Sequence, residues 1–338
     1  MAANSAAAAA AAAAPVPGGF TTPFLLVSLN PDGTSLSRPP DVLLPPSSTG
    51  PVVSKDVPLD SAAGTSLRIY RPCHHQPEPE QGPRPSLLPL VVFYHGGGFI
   101  LFSAASAAYH AFCENMAAAL PAVVVSVDYR LAPEHRLPAA YDDAVSALRW
   151  LRDQAAAAAA ESEAEEELLR GVDYSRCFLM GSSSGANIVY HAGLRAVADA
   201  LRPLQVAGLV YNQPFFGGVE RTASELAKEN DAVLPLRAAD DMWELSLPEG
   251  ADRDHEFCNP AAKGKGPAVA SLPRSLVRGN AGDPLIDRQR EFAGTLRAEG
   301  VEVVERLTDD GHHAVELFDT VQAQRFFDDV RAFICSTP

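Results

Sequence analysis

The chain has 338 residues, and its 27 Lys and Arg against 42 Asp and Glu give a formal net charge of −15 with histidine neutral. Hydrophobic residues form 47% of the sequence, which suffices for a large buried core, and no run of about 18 apolar residues could cross a bilayer. The acidic balance argues against nucleic acids and anionic membrane surfaces, so we expect neither as a partner.

The N-terminal residues 1–20 consist mainly of alanine. They lack the basic region of a secretory signal, so we expect a disordered leader without a targeting role. No strong linker divides the remainder, which predicts one domain over residues 21–338. The five cysteines have irregular spacing and no CxxC pair, which is typical of reduced thiols. We therefore expect a cytoplasmic protein, with the nucleus as a second location.

Short alternating or apolar runs predict seven strands along the chain. Several of them are apolar throughout, so we expect them to be buried on both faces, as in a parallel sheet. In chain order the predicted strands are Ser66–Tyr70, Leu87–Tyr94, Ala122–Val127, Arg176–Met180, Leu204–Tyr211, Ser275–Val277 and Val301–Leu307.

Helical patterns alternate with these strands. The apolar residues of each recur at the spacing of one helix face. This alternation predicts an α/β fold with a mostly parallel sheet. The predicted helices are Ala139–Arg152, Ala186–Ala198, Arg288–Glu299 and Ala323–Ile334.

Residues 220–267 interrupt the alternation, because they contain several prolines and no strong strand pattern. An excursion of this length between two strands predicts a helical cap over one edge of the sheet. Since caps bound ligand pockets, we expect substrate selectivity to lie in this segment.

Three serines stand between a predicted strand and a predicted helix in the sequence Gly181–Gly185. Ser183 alone has glycine two residues before and two residues after it. A tight strand-to-helix turn leaves little room for side chains at those two positions, so the pattern predicts Ser183 as a nucleophile. The alternative is a polar helix cap in which Ser182 or Ser184 bonds the first amides of the helix.

A glycine-rich loop, His95–Phe99, directly follows the strand that ends at Tyr94. Three consecutive glycines leave backbone N–H groups uncovered, and such donors can stabilise an oxyanion. The N–H group of Ser184 would add another donor. A phosphate-binding loop is the alternative, but no GxxxxGKS or GxGxxG motif accompanies it. We expect His95 itself to hold the loop in place.

Two further loops, GDPLID and GHHA, follow the last two predicted strands. The carboxyl ends of parallel strands share one edge of a sheet, so an acid and a histidine there can meet the serine. Asp283 lies in its loop, whereas Asp287 lies about one turn into the next helix, which favours Asp283 as the acid. The residue types alone do not distinguish His312 from His313 as the base. We expect no metal and no cofactor, because no ligand set has suitable spacing.

Six stretches together carry a family resemblance: YHGGGF, VDYRLAPEHRLPAAYDD, GSSSGANI, NQPFFGG, GDPLID and HAVELF. On these stretches the chain resembles the plant carboxylesterase family, in the hormone-sensitive-lipase-like branch of the α/β-hydrolase superfamily. The resemblance implies an α/β-hydrolase fold with a mostly parallel eight-stranded sheet, helices on both faces and a small helical cap. It also implies that about residues 21–45 join residues 220–267 in that cap.

The resemblance also implies the site residues, position by position. The family's nucleophile, acid and base fall on Ser183, Asp283 and His313. Its oxyanion donors fall on Gly97, Gly98 and Ser184. The choice of His313 over His312 rests on the family pattern His-Ala/Gly-Phe, which matches His-Ala-Val here.

The implied function is that of a serine carboxylesterase, which hydrolyses small-molecule carboxylic esters through an acyl-enzyme. A hormone receptor without hydrolysis is one alternative, because gibberellin receptors belong to the same family. Those receptors resemble esterases that have lost the histidine, whereas His313 is present here. A lyase or dehydratase on the same scaffold is the other alternative. The sequence indicates neither the natural ester nor an oligomeric state.

Five aromatic residues flank the glycine and serine loops or lie in the predicted cap. We expect them to border an apolar substrate pocket. The alternative places some of them in the core beneath the cap. They are Phe99, Phe102, Phe215, Phe216 and Trp243.

Overall fold

The computed structural model describes residues 21–22, 27–73, 87–199, 201–261 and 267–337. The predicted leader, residues 1–20, lies outside the described residues. The strands are β1 (Thr21–Thr22), β2 (Val27–Leu29), β3 (Leu36–Ser37), β4 (Val52–Asp60), β5 (Thr65–Pro72), β6 (Leu88–Tyr94), β7 (Val123–Asp128), β8 (Val172–Ser182), β9 (Val206–Asn212), β10 (Ser275–Asn280) and β11 (Val303–Thr308). The helices are α1 (Ala107–Ala119), α2 (Ala139–Ala159), α3 (Ser184–Ala198), α4 (Ala223–Ala227), α5 (Leu236–Ser246), α6 (Pro267–Ala270), α7 (Ile286–Ala298) and α8 (Thr320–Ser336).

Eight strands form one sheet, in the order β11-β10-β9-β8-β6-β7-β5-β4. Neighbours from β11 to β7 are parallel, whereas β5 runs antiparallel to both β7 and β4. The predicted mostly parallel, eight-stranded sheet is therefore confirmed. Because β6, β8, β10 and β11 run in one direction, the loops that follow them begin at the same edge of the sheet.

The central strand β6 shows why the sheet strands are apolar throughout. Its side chains alternate between two cores, with Leu90 and Val92 in one and Val91 and Phe93 in the other. The first core contains buried residues of α2, α3 and α7, and the second contains those of α1 and α8. Helices thus cover both faces of the sheet, which leaves no polar face on its inner strands.

Two elements of the structure lack a clear sequence pattern. The edge strand β4 includes Lys55, Asp56 and Pro58, and most of its residues are half-buried or exposed. An edge strand pairs on one side only, so it tolerates proline and charge that a central strand excludes. Helix α1 was not predicted because alanines occur all around it, and the apolar stripe along one face is weak.

The N-terminal strands β1, β2 and β3 form a separate antiparallel sheet. Arg38, directly after β3, anchors this segment to the domain. Its guanidinium donates to the carbonyl oxygens of Ile100 (2.6 Å) and Ala132 (2.8 Å) and to the carboxylate of Glu134 (2.8 Å). The N–H group of Leu36 donates to the same carboxylate (3.0 Å). The segment is therefore fixed beside the loop that follows the consecutive glycines.

Between β9 and β10 the structure has α4 and α5, in the segment where the sequence predicts a helical excursion. Helix α4 is attached to the start of α7. The N–H group of Ser224 donates to Asp287 (2.9 Å), and its hydroxyl donates to the carbonyl oxygen of Pro284 (2.7 Å). The buried Glu225 forms an ion pair with the half-buried Arg288 (3.1 Å). The excursion is therefore joined to the loop that contains Asp283.

We expect Arg38→Ala to loosen residues 27–37 without unfolding the domain, because the variant loses the guanidinium that binds two carbonyls and one carboxylate. Hydrogen exchange measured by mass spectrometry should become faster at residues 27–37 and stay unchanged in β6 and β8. Lys55→Ala, which removes an exposed ion pair with Glu166, serves as the control. Unchanged exchange at residues 27–37 would contradict the anchoring role of Arg38.

Candidate active site

Ser183 occupies the turn between β8 and α3. Its φ of 56° and ψ of −119° are uncommon for a residue with a Cβ atom. The backbone on either side is tightly packed. A Cβ atom on Gly181 would lie 2.3 Å from the carbonyl group of Gly185, and one on Gly185 would lie 1.9 Å from the carbonyl oxygen of Tyr94. The turn therefore requires glycine at both positions around Ser183.

Ser183, His313 and Asp283 meet at the carboxyl edge of the sheet. The hydroxyl of Ser183 donates to Nε2 of His313 at 2.9 Å. Nδ1 of the same ring donates to Oδ2 of Asp283 at 2.8 Å. His313 and Asp283 are both buried. A hydroxyl, an imidazole and a carboxylate are thus in continuous hydrogen-bond contact, which is the arrangement that activates a serine for nucleophilic attack.

The carboxylate of Asp283 has two further donors. Its Oδ1 accepts from the N–H group of Leu285 (2.8 Å), and its Oδ2 accepts from the side-chain amide of Gln289 in α7 (2.7 Å). Since both oxygens are engaged, the carboxylate is held with Oδ2 towards the imidazole. The alternative acid, Asp287, accepts instead from the N–H group of Ser224.

The neighbouring His312 has a different environment. Its Nδ1 donates to the carbonyl oxygen of His313 at 2.9 Å, and its ring lies 6.2 Å from the ring of Phe318. Of the two histidines that the residue types left open, His313 is the one in contact with Ser183.

Two opposing effects act on the pKa of His313. Burial of the ring lowers the pKa because it disfavours the charged imidazolium. The charge and hydrogen bond of Asp283, and the charges of Glu316 and Asp231, raise the pKa. The net pKa lies above the ordinary value of 6.5. Above this raised pKa the ring is neutral and can accept a proton from a serine hydroxyl.

The glycine-rich loop is held by His95 and two tyrosines. The ring of His95 stacks on Tyr129 with 4.3 Å between centroids, and its Nδ1 donates to the carbonyl oxygen of Gly96 (2.8 Å). The hydroxyl of Tyr129 donates to the carbonyl oxygen of His95 (2.8 Å), and the N–H group of Gly96 donates to Tyr109 (2.9 Å). Burial lowers the pKa of His95, so the ring is neutral near pH 7.

The N–H groups of Gly97, Gly98 and Ser184 make no hydrogen bond to any residue that the structure describes. This loop and the serine turn are adjacent, since a Cβ atom on Gly96 would lie 3.3 Å from Cβ of Ser183. Unpaired backbone donors next to a serine hydroxyl can stabilise the negative oxygen that forms when the hydroxyl attacks a carbonyl. The site therefore combines a proton acceptor, the imidazole of His313, with backbone N–H donors that have no partner among the described residues.

Comparisons with known proteins identify the family of this chain. A protein-family model described as alpha/beta hydrolase fold matches residues 91–317. The Arabidopsis thaliana protein named "Probable carboxylesterase 8" is 47% identical over 327 residues, which covers 95% of both chains. A 3-O-acetylpapaveroxine carboxylesterase of Papaver somniferum is 44% identical over 315 residues, which covers 92% of this chain and 96% of the relative. The chain belongs to the plant carboxylesterase family.

The family membership confirms the predicted activity class: this carboxylesterase is a carboxylic-ester hydrolase. A gibberellin receptor of Oryza sativa subsp. japonica is more distant, at 36% identity over 74% of this chain and 71% of the receptor. Among solved structures, a hyperthermophilic esterase from Pyrobaculum calidifontis has a TM-score of 0.66 at 27% identity and covers 86% of each chain. The predicted α/β-hydrolase fold is thus confirmed as well.

Four of the five predicted pocket aromatics of this carboxylesterase are almost completely buried. Phe215 and Trp243 stack with 4.6 Å between ring centroids, and Phe99 lies 5.5 Å from Trp243. Phe216 packs on other aromatic rings beside α7. Phe102 is 40% exposed and lies against the glycine-rich loop. The structure therefore places Phe99, Phe215, Phe216 and Trp243 in the core and leaves Phe102 at the surface.

Helix α5 packs directly on the glycine-rich loop of the carboxylesterase. The thioether of Met242 lies over Gly98, since a Cβ atom on this glycine would lie 2.1 Å from the sulfur. The hydroxyl of Ser246 donates to the carbonyl oxygen of Gly98 at 3.3 Å. The excursion thus contacts both the loop with unpaired N–H groups and the loop of Asp283.

Sequence reasoning gave no role to several polar residues that surround the site. Gln289 holds the carboxylate of Asp283, and Asn212, Gln213 and Glu316 form a buried network beside His313. Part of this network could have been found from the sequence, because the polar residues Asn212 and Gln213 stand at the end of β9 in the stretch NQPFFGG. It is the same signal, polar residues at the carboxyl end of a buried strand, that pointed to Asp283.

Among the described residues, no group of three or more His, Cys, Asp and Glu side chains could hold a metal ion. Within the same part of the chain, no helix has the length and apolar character needed to cross a bilayer. All the cysteines are free, with Cys113, Cys177 and Cys258 buried and Cys73 and Cys335 exposed.

We expect Gly185→Ala to lower the free energy of unfolding, because the new Cβ atom would lie 1.9 Å from the carbonyl oxygen of Tyr94. Overpacking of this kind costs roughly 1–3 kcal/mol, which urea denaturation would measure. Gly294→Ala in α7 is the matched control, because its Cβ atom would meet nothing within 4 Å. The control should be neutral or more stable by up to about 1 kcal/mol. Equal stability of the two variants would argue against the close approach at the serine turn.

Proposed function

We propose that this carboxylesterase hydrolyses small-molecule carboxylic esters through an acyl-enzyme on Ser183, with His313 as general base and Asp283 as its acid partner. The observation that carries the proposal is the unbroken contact from hydroxyl to imidazole (2.9 Å) and from imidazole to carboxylate (2.8 Å). The buried position of the carboxylate and its two additional donors support the same assignment, because they hold the imidazole in one tautomer.

In the acylation step, Nε2 of His313 takes the hydroxyl proton as Oγ of Ser183 attacks the carbonyl carbon of the ester. Asp283 keeps Nδ1 protonated and stabilises the imidazolium that forms. The imidazolium then gives its proton to the leaving alkoxide, the C–O bond of the ester breaks, and the alcohol departs. The acyl group stays on Oγ.

In the deacylation step, His313 takes a proton from water as the water oxygen attacks the acyl carbon. The imidazolium then gives this proton to Oγ of Ser183 as the bond between Oγ and the acyl carbon breaks, which releases the carboxylic acid and restores the hydroxyl. Both steps pass through a tetrahedral intermediate with a negative oxygen. We assign its stabilisation to three backbone donors, each of which typically contributes about 2.7–4 kcal/mol to the lowering of a barrier. These donors are the N–H groups of Gly97, Gly98 and Ser184.

Residues 21–45 and the excursion at residues 220–267 form the cap in this proposal. Two contacts support it, the packing of Met242 on Gly98 and the hydrogen bond from Arg38 to the carbonyl oxygen of Ile100. Phe102, the exposed aromatic beside the same loop, is then the first candidate for contact with the substrate. A cytoplasmic location, with the nucleus as a second one, completes the proposal, and the free cysteines support it.

The alternatives of a hormone receptor and of a lyase or dehydratase are distinguishable from hydrolysis. A receptor has no need of an imidazole in contact with the serine hydroxyl, and that contact is present here. An ester hydrolase incorporates oxygen from labelled water into the acid product, whereas a lyase does not. Mass spectrometry of the product therefore separates the candidate functions.

We expect Ser183→Ala to lower kcat on a short-chain p-nitrophenyl ester roughly 10⁴–10⁶-fold, because the nucleophile is lost while the fold is kept. A fluorophosphonate probe should label the wild-type protein, with the adduct on the peptide that contains Ser183. Ser146→Ala is the control, because the hydroxyl of Ser146 bonds, among the described residues, only the carbonyl oxygen of Asp142 within α2 (2.9 Å), and it should retain full activity and full labelling. Near-normal turnover by Ser183→Ala would end the proposal.

We expect kcat/KM to fall at acidic pH, below the raised pKa of His313, because the protonated ring cannot accept the serine proton. Asp283→Asn should lower kcat roughly 10⁴-fold and move the acidic limb to lower pH, since the charge that raises the pKa is removed. Asp287→Asn serves as the control, and its kcat should stay within about tenfold of the wild type. Equal losses of kcat in Asp283→Asn and Asp287→Asn would contradict the assignment of Asp283 as the acid.

A further inference from the structure

Glu316, three residues after His313, is a buried carboxylate beside the site. Its Oε1 accepts from Nδ2 of Asn212 (2.6 Å), and its Oε2 accepts from Nε2 of Gln213 (3.1 Å). Both donors are neutral amides. A carboxylate with such partners keeps its hydrogen bonds in the interior while its negative charge remains in place to act on neighbouring groups.

The same two amides hold the loops of the serine and the histidine. Nδ2 of Asn212 also donates to the hydroxyl of Ser182 (3.1 Å), and the backbone carbonyl oxygen of the same residue accepts from the N–H group of Ser183 (2.9 Å). Oε1 of Gln213 accepts from the N–H group of Ala314, directly after the histidine. One carboxylate and two amides therefore connect the serine turn to the histidine loop.

The backbone is strained at both ends of the last of these hydrogen bonds. Gln213 has a φ of 47° and Ala314 a φ of 58°, although neither is glycine. Such conformations are unfavourable for a residue with a Cβ atom and persist where the surroundings fix them. The strain at this connection points to a function for the network beyond packing.

We propose that Glu316 is a positioning residue that holds His313 within reach of Ser183 and favours the imidazolium formed during the reaction. The inference rests on the proposed roles of Ser183 and His313. Glu316 touches neither the hydroxyl nor the ester. It acts through the amides that it binds and through its charge.

The negative charges of Asp283, Glu316 and Asp231 favour the imidazolium form of His313. Burial raises the pKa of Tyr109, so its phenol stays neutral, and Arg278 is paired with Asp329 (2.9 Å). Glu316 therefore acts in the same direction as the carboxylate in contact with Nδ1, and removing its charge lowers the pKa of the imidazole. The titratable and charged groups that face His313, Glu316 or the amide of Asn212 are Asp283, Asp231, Tyr109 and Arg278.

Glu316→Gln tests the proposal, because it removes the charge and keeps the size of the side chain. We expect kcat on a short-chain ester to fall about tenfold or more with KM nearly unchanged, since the base is less well held. We also expect the acidic limb of kcat/KM to move to lower pH. Glu302→Gln makes the same change of net charge at an exposed position before β11, and it should leave both properties unchanged.

Glu316→Asp separates position from charge and covers the case in which Glu316→Gln does not fold, which thermal denaturation would reveal. This variant keeps the charge but withdraws the carboxylate by one methylene group. We expect a lower kcat with the acidic limb at the wild-type pH. Wild-type kcat in the folded variants, or an acidic limb that stays in place in folded Glu316→Gln, would overturn the proposal.

The two proposals fail in different ways. Full activity of Ser183→Ala would remove the proposed function and this inference with it. An inactive Ser183→Ala together with wild-type kinetics of Glu316→Gln would overturn the inference alone.

Discussion

The close approach of Gly185 to the carbonyl group of Tyr94 is the constraint on which the site depends. It follows from the sheet, because β6 and β8 are parallel neighbours in which Tyr94 is paired with Gly181. The two strands end at the same level, so the glycine-rich loop and the serine turn begin side by side. Any side chain at position 185 would force them apart. This backbone contact thus helps to bring N–H groups without a partner among the described residues next to the serine hydroxyl.

Two buried carboxylates, those of Asp283 and Glu316, act on the charge state of the imidazole of His313. Asp283 and Glu316 each accept hydrogen bonds from neutral amides, Gln289 for the first and Asn212 and Gln213 for the second. Neutral donors reduce the cost of burying a charge without cancelling its field, which a direct ion pair with arginine would do. Both carboxylates therefore raise the pKa of the imidazole of His313, against the effect of its own burial.

The sequence predicted the parts of this architecture that leave a local pattern. Inner strands such as β6 were recognised because both of their faces are buried. Ser183, Asp283 and His313 were predicted because reactive side chains stood at strand ends. The edge strand β4 was missed because exposure on one side permits proline and charge. The Glu316 network was missed because it joins residues 104 and 103 positions apart, and such long-range pairing leaves no local spacing. The choice between His312 and His313 needed either a family pattern or coordinates.

The same glycine-rich loop is contacted from two sides, by the serine turn and by α5 through Met242 and Ser246. The two contacts have different origins in the chain. The serine turn belongs to the sheet and is constrained by its register, whereas α5 belongs to an excursion whose length and composition the sheet does not fix. A change in α5 can therefore reshape the space next to the backbone donors and leave the serine, histidine and aspartate in contact.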